Sequence, residues 1–169
     1  MAEEIVNRVA NSGLININMD DLLPSGERVV LDLAPVLFQG MMLREKDLRE
    51  FVAGHDWSQY QNKHVAVTCS EDAIIPAWAF MLVAVSLTPF ARTIVFGNEK
   101  NLISELFDQA IRQLDVTEYA DKRILVHGCG KVEVPASAFV ALSVKLQPLV
   151  KALMFGEACS TVPLYKKMS

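Results

Sequence analysis

The three cysteines of the chain are the residues with the most distinctive chemistry. Cys69, Cys129 and Cys159 are odd in number and far apart, and none belongs to a C-x-x-C pair, so they do not predict a disulfide framework. Thiolates that meet at one place bind soft ions, which favours zinc, copper(I) or an iron–sulfur cluster. His127, two residues before Cys129, would complete a set of three cysteines and one histidine. The sequence therefore predicts a thiolate metal site, with an iron–sulfur cluster or zinc as its cofactor.

A small anionic ligand is a second possibility at the same place. In HGCGK (127–131), Gly128 and Gly130 leave backbone N–H groups accessible and Lys131 adds a positive charge, while Ser70 offers a hydroxyl donor. The stretch matches neither G-x-G-x-x-G nor a P-loop, so the motif is weak. A cysteine at the start of a helix would then serve as a reactive nucleophile. Because cysteine is also a common core residue, a structural role for the thiols stays open.

Length and composition exclude several classes of protein. With 169 residues, 51% hydrophobic and 21% charged, the sequence predicts one compact domain over residues 1–169. The formal net charge of −4 provides no basic face for a nucleic-acid backbone. The start, MAEEIVNRVANSG, has no basic region followed by an apolar stretch, so it does not predict a signal peptide. A cytoplasmic protein is expected.

The stretch from Ala73 to Ala91 carries no charge and is almost as long as a membrane span. Pro76 and Pro89 lie near its two ends, so the continuous helix between them is shorter than a span requires. We therefore expect no membrane span. The stretch predicts a helix that packs on a sheet or across a subunit interface.

The chain repeats itself at an offset of 59 residues. IPAWAFMLVAVSLTPFARTIVFG (75–97) aligns without a gap with VPASAFVALSVKLQPLVKALMFG (134–156). The alignment pairs prolines, phenylalanines and glycines at the same places. Two copies are too few for a solenoid, so the pattern predicts an internal duplication, roughly 38–97 and 97–156. An N-terminal arm (1–27) and a C-terminal tail (157–169) would flank the copies.

Short β-branched stretches alternate with helical segments of a dozen or more residues. This alternation predicts an α/β fold in three layers, with a mainly parallel sheet of about five strands and helices on both faces. The copies would be duplicated βαβ units. The predicted strands begin with RVVLDL and continue with HVAVTC (64–69), RTIVFG (92–97), RILVHGC (123–129) and KALMFG (151–156).

The predicted sheet suggests where the thiols meet. All strands of a parallel sheet point their carboxyl ends to one edge, where α/β proteins build their sites. Cys69 and Cys129 each end a predicted strand, and Cys159 comes three residues after Gly156, the end of the last one. We therefore expect the three thiols to converge at this edge, provided that the strands carrying Cys69 and Cys129 are neighbours.

Long strings of the sequence also resemble a known family. LFQGMMLREKDLREF, HDWSQYQNKHVAVTCSEDAIIPAWAFML, VFGNE and GEACSTVPLYKK are similar to a small bacterial family of unknown function, and the similarity covers nearly the whole chain. Genes of that family often lie beside those of the sulfur-mobilisation machinery for iron–sulfur cluster assembly. The resemblance implies an accessory role in this assembly, with the assembly proteins as partners, and carries no catalytic residues.

Three hypotheses of function follow. The first is a non-catalytic accessory protein that binds a metal or an iron–sulfur cluster. The second is an enzyme or binding protein for a small anionic ligand, with a reactive cysteine at the carboxyl edge of the sheet. The third is an interaction module with structural cysteines that forms a homodimer through the uncharged helix 77–88, around Trp78, Met81 and Val85.

Overall fold

A computed structural model of the chain describes residues 13–128, 130–157 and 159–168. Strands and helices alternate along it, with short 3-10 turns between them. The strands are β1 (Leu14–Asn18), β2 (Arg28–Asp32), β3 (His64–Thr68), β4 (Thr93–Phe96), β5 (Arg123–His127), β6 (Ala152–Glu157) and β7 (Ser160–Lys166). The helices are α1 (Glu45–Gly54), α2 (Ala77–Leu87), α3 (Glu99–Gln113) and α4 (Ala136–Leu146).

The chain divides into two compact units. The three-stranded unit comprises Ser25–Glu105 and contains β2, β3 and β4 with α1 and α2. The four-stranded unit comprises the chain up to Pro24 and from Leu106 onward, and contains β1, β5, β6 and β7 with α4. The first boundary between the units lies between Pro24 and Ser25, and the second falls within α3.

Each unit has its own sheet. The strand order is β2-β3-β4 in one sheet, with all strands parallel, and β1-β5-β6-β7 in the other, where only β7 is antiparallel. The predicted α/β class with mainly parallel strands is confirmed. The prediction of a single sheet of about five strands is wrong. The residues of an apolar strand indicate that it is buried, but they do not indicate which strand it pairs with. In addition, β1 and β7 were not predicted as strands.

The core of the three-stranded unit lies between its central strand and its helices. Val65 and Val67 of β3 pack against Leu48 of α1 and Val83 of α2, all of them at most 3% exposed. Burying each of these side chains contributes about 1.5–3 kcal/mol. The buried positions of α2 recur every four residues, so one face of the helix covers the sheet. They are Ala79, Val83 and Leu87.

The four-stranded unit is built around β5, its central parallel strand. Ile124, Leu125 and Val126 are consecutive and buried, as expected for a strand covered on both faces. Helix α4 again buries every fourth residue against the core. These residues are Ala138, Leu142 and Leu146.

Many features of the two units lie at corresponding positions. Pro76 and Pro135 each directly precede a helix of 11 residues. A T-shaped pair of rings joins each helix to the strand after it, Phe80 with Phe96 and Phe139 with Phe155, with centroids 4.9 and 5.5 Å apart. Both units also contain left-handed residues at the predicted offset of 59, Asn62 and Asp121 (φ 60° and 55°) and Gly97 and Gly156 (φ 126° and 116°). These correspondences agree with the repeat, while a duplication as its origin stays a prediction.

Helix α2 accounts for the uncharged stretch of the sequence. It has 11 residues, about half of the number that a span requires. None of the helices in the described part of the chain combines the length and the apolar composition needed to cross a membrane.

Candidate functional site

The predicted thiolate ligands belong to two different sheets. Cys69 directly follows β3 in the three-stranded unit, whereas Cys159 lies in the turn between β6 and β7 of the four-stranded unit. Cys129 lies outside the described residues. The expectation that one sheet collects all three thiols at one carboxyl edge is therefore wrong. Within the described ranges, no group of three or more His, Cys, Asp or Glu side chains is placed to hold a metal ion.

The described thiols differ in their surroundings. Cys159 is exposed, and Cys69 is partly exposed, with its Sγ 3.6 Å from the carbonyl oxygen of Glu71. His127 ends β5, where it lies opposite Asn18 of β1. The metal and iron–sulfur assignments therefore stay predictions, with Cys69 in the three-stranded unit and His127 and Cys159 in the four-stranded unit.

The glycine-rich loop after β5 has an acidic neighbour. The backbone N–H of Lys131 donates to Oδ2 of Asp20 at 3.4 Å. Gly130 adopts a left-handed conformation (φ 83°), while Gly128 approaches the ring of Phe139, since a Cβ there would lie 3.5 Å from it. A carboxylate at this N–H disfavours an anionic ligand in the same position. Gly128, Gly130 and Lys131 thus shape the loop, and their role in binding an anion stays a prediction.

Asp32 organises the carboxyl end of β2 and the loop that follows β3. Its Oδ1 accepts the backbone N–H groups of Ala34 and Ser70, both at 2.9 Å, and its Oδ2 accepts the Ser70 hydroxyl at 2.5 Å. Partial burial raises the pKa of Asp32, but these hydrogen bonds outweigh it and hold the pKa below its usual value. The carboxylate therefore fixes the loop containing Cys69 to the strand beside it.

A cleft of about 700 Å³ lies next to Asp32, between the end of β2 and α1. The guanidinium of Arg44 stacks 3.8 Å from the ring centroid of Phe38 and binds both carboxylate oxygens of Asp47, at 2.5 and 2.9 Å. Hydrogen bonding from Arg44 lowers the pKa of Asp47. The arginine is thus neutralised within the cleft. The arrangement can hold a small polar molecule.

A second surface of the same unit is apolar. On the outer face of α2, Trp78 is 39%, Met81 66% and Val85 69% exposed. Phe96 at the end of β4 is 69% exposed, and it lines a shallow groove of about 230 Å³ together with Met81 and Ile94. We call Trp78, Met81, Val85 and Phe96 the α2–β4 surface. Contiguous apolar surfaces of this kind mark interaction sites in soluble proteins.

The sequence indicated part of this surface but not all of it. The helix residues Trp78, Met81 and Val85 follow from the uncharged helical stretch. Phe96 was read only as the end of a strand, and its exposure depends on β4 being the last strand of its sheet. Asp32 was missed as well, although an aspartate at the end of a β-branched strand, followed by a turn, is the available signal.

The comparisons with known proteins identify a family but no activity. No curated protein and no solved structure matches the chain significantly. A family model described as "protein of unknown function (DUF2480)" matches residues 3–167. This confirms the resemblance to a family of unknown function along nearly the whole chain, while the gene neighbourhood stays a prediction. The chain therefore belongs to the DUF2480 family.

Proposed function

We propose that this protein is a non-catalytic interaction module that forms a homodimer through the α2–β4 surface. The observation that carries the proposal is the exposed stripe of Trp78, Met81 and Val85 on a helix without a single charge. In a two-fold dimer the same patch meets itself, so an interface is favourable only where like charges do not face each other. An uncharged helix meets this condition.

The size of the surface supports a stable contact. At about 150–250 Å² for each large side chain, the exposed fractions of the four residues amount to roughly 500 Å² per copy. Functional apolar patches on monomers span about 300–600 Å². A standard interface buries about 800 Å² on each partner, so the patch would form its apolar centre and neighbouring polar residues its rim.

The chemistry of the cleft supports a role without catalysis. Asp32 accepts three hydrogen bonds from Ala34 and Ser70, and Arg44 is paired with Asp47. Groups engaged in this way hold loops and helices in place, whereas an acid–base catalyst needs a proton-accepting atom directed at a substrate. Asp32, Arg44 and Asp47 thus stabilise the fold of the three-stranded unit, whereas the apolar side chains of the α2–β4 surface are available to a partner.

The experiment is sedimentation equilibrium of the whole chain with two matched aspartate substitutions. Val85 on α2 and Val144 at the corresponding position of α4 are 69% and 71% exposed. We expect the wild-type chain to be a dimer at micromolar concentration. Val85→Asp should raise the dissociation constant at least ~100-fold, because it buries an unpaired carboxylate in the interface. Val144→Asp should change the dissociation constant little. A wild-type monomer at high micromolar concentration, or equal effects of both substitutions, would overturn the proposal.

The second candidate is the thiolate accessory protein, with iron–sulfur assembly proteins as partners. The exposure of Cys159 and the partial exposure of Cys69 favour it, since accessible thiols are those that bind or exchange metal. Anaerobic purification followed by elemental analysis for iron, zinc and sulfide tests this candidate. Stoichiometric metal that Cys159→Ser removes without lowering the melting temperature would support it, and a protein that stays metal-free after reconstitution would contradict it.

A further inference from the structure

The outer edge of β4 has hydrogen-bonding groups directed away from its own sheet. Strand β4 pairs with β3 on one side, and no strand pairs with its other side in the described part of the chain. The Gly97 N–H donates to the Val67 carbonyl at 3.0 Å. Because backbone groups alternate in direction along a strand, the N–H and C=O groups of Ile94 and Phe96 point to the outer edge. An exposed edge of this kind is a template for another strand.

The four-stranded unit shows what covers the corresponding edge there. Strand β6 occupies the position that β4 has in the other unit, and β7 pairs with it in antiparallel orientation. In this pairing Leu153 and Phe155, the counterparts of Ile94 and Phe96, lie opposite Tyr165 and Val162. Phe155 is 41% exposed, whereas Phe96 is 69% exposed. The same edge thus accepts an antiparallel strand in one unit, whereas in the other unit no described segment pairs with it.

We propose that the strand missing from this edge is β4 of a second copy. Two β4 strands would pair in antiparallel orientation about a two-fold axis at Val95, and their three-stranded sheets would join into one sheet. Ile94 would then form a hydrogen-bonded pair with Phe96 of the partner subunit, and the symmetric pair would form on the other side of the axis. The inference rests on the proposed dimer and specifies how the two copies meet.

The charges beside β4 are complementary in this register. Thr93–Phe96 itself carries no charge. Arg92 precedes the strand and Glu99 follows it, both are exposed, and neither forms an ion pair with any residue that the structure describes. A two-fold axis at Val95 places Arg92 opposite Asn98 of the partner subunit and adjacent to Glu99 of the partner subunit. Two such cation–carboxylate contacts would flank the paired strands.

The strand pairing and the helix contact belong to one surface. Phe96 and Ile94 lie on the face of the sheet that α2 covers, because Ile94 lies opposite Val65 and Phe96 opposite Val67. The groove between strand and helix is lined by Met81 as well as Phe96. Cross-strand apolar pairs of Ile94 and Phe96 would fill this groove from both copies, which joins the edge of the sheet to the exposed stripe of α2.

Disulfide cross-linking of the full chain tests the register. In a background with Cys69, Cys129 and Cys159 changed to serine, Val95→Cys places two thiols opposite each other, at the Cα separation of about 4.5 Å of a non-hydrogen-bonded pair. This separation suits a disulfide. Thr93→Cys is the control, since its two copies would lie about 14 Å apart along the antiparallel strands. With oxidised glutathione as oxidant, we expect a covalent dimer for Val95→Cys and none for Thr93→Cys.

The outcomes separate this inference from the proposed function. If Val85→Asp dissociates the dimer but Val95→Cys does not cross-link, the edge pairing is wrong and the dimer through α2 stands. Cross-linking of Thr93→Cys at the same rate would show a different register and overturn the inference. If the wild-type chain is monomeric, the inference and the proposed function are both wrong.

Discussion

The three-stranded and the four-stranded unit share an arrangement of three parallel strands, but they differ at the outer edge of the third strand. In the four-stranded unit, β7 covers the outer edge of β6, whereas β4 of the three-stranded unit has no such neighbour among the described residues. The backbone groups at the outer edge of β6 are therefore hydrogen-bonded within the chain, whereas those at the outer edge of β4 point away from their own sheet. This difference is the reason why we assign the proposed interaction surface to the three-stranded unit.

The ends of two helices show a second difference. At the end of α3, the ammonium group of Lys145 donates to the carbonyl oxygens of Ile111, Arg112 and Leu114 at 2.6–2.8 Å. At the end of α1, the indole N–H of Trp57 donates to the Val52 carbonyl at 2.9 Å. A cluster of rings surrounds this indole, formed by Phe51, His55 and Tyr60.

A cation and an aromatic cluster thus perform the same task in the two units. The last carbonyls of a helix need donors from outside the helix, and the backbone does not specify which side chain provides them. The residue that corresponds to Lys145 in α2 is Ser86, whose hydroxyl donates within its own helix to Leu82. Substitutions at Lys145 and Trp57 test how much the hydrogen bonds at each helix end contribute to stability.

Removing the cation should have the largest effect on stability. Lys145→Met keeps the aliphatic part of the side chain and leaves three carbonyl oxygens without their charged donor, so we expect the free energy of unfolding to fall by about 2–3 kcal/mol. Urea denaturation followed by far-UV circular dichroism measures this change. Ser86→Ala is the matched control, with an expected change below about 0.5 kcal/mol. Equal effects of the two substitutions would contradict the role of Lys145.

The aromatic end of α1 should be less sensitive. Trp57→Phe preserves a ring against Phe51 and His55 but removes the N–H that binds Val52, so we expect a loss of about 1 kcal/mol. Trp78→Phe is the control, because its indole lies on the exposed face of α2. Urea denaturation of both variants at low protein concentration gives the comparison. A larger loss for Trp78→Phe would show that the hydrogen bond to α1 is unimportant.

The smallest effect is expected for the carboxylate that anchors the loop of Cys69. The pKa of Asp32 lies below its usual value of 3.8, so the ionised form stabilises the folded state. This stabilisation is complete above about pH 5 and is lost as the pH falls through the lowered pKa. Asp32→Asn should reduce stability by less than about 1 kcal/mol at pH 7, since the carboxylate is only partly buried.

The same substitution should flatten the dependence of the melting temperature on pH between about pH 5 and pH 3. Glu71→Gln, in the same loop, serves as the control for a general charge effect. A wild-type profile that Asp32→Asn leaves unchanged would show that the hydrogen bonds from Ser70 and Ala34 do not favour the ionised carboxylate.

Part of the proposed interaction surface could be predicted from the sequence. An uncharged helix with Trp78, Met81 and Val85 at helical spacing indicates an apolar face that needs a partner, and the structure confirms that these side chains are exposed. The contribution of Phe96 could not be predicted, because its exposure depends on β4 having no second neighbouring strand among the described residues. The edge of a sheet is defined by pairing between distant segments, so the sequence of a single strand does not indicate whether the strand lies at an edge.

The predicted thiolate site shows the same limit. The placement of Cys69 and Cys129 at the ends of strands requires only local information, and β3 does end directly before Cys69. Their predicted meeting at the edge of one sheet requires that the two strands share that sheet, which depends on the strand order. β3 and β5 are instead the inner strands of two separate sheets.

By itself, the sequence determined the parallel α/β class, the helices that follow Pro76 and Pro135, and the correspondences at an offset of 59 residues. These features depend on the spacing of apolar residues and on proline, which act over a few residues. Tertiary structure alone decided that the strands form two sheets, that β7 covers β6, and that the edge of β4 faces outward. The backbone groups of a strand bind any strand of suitable length, so only the packing of the complete chain selects the neighbours.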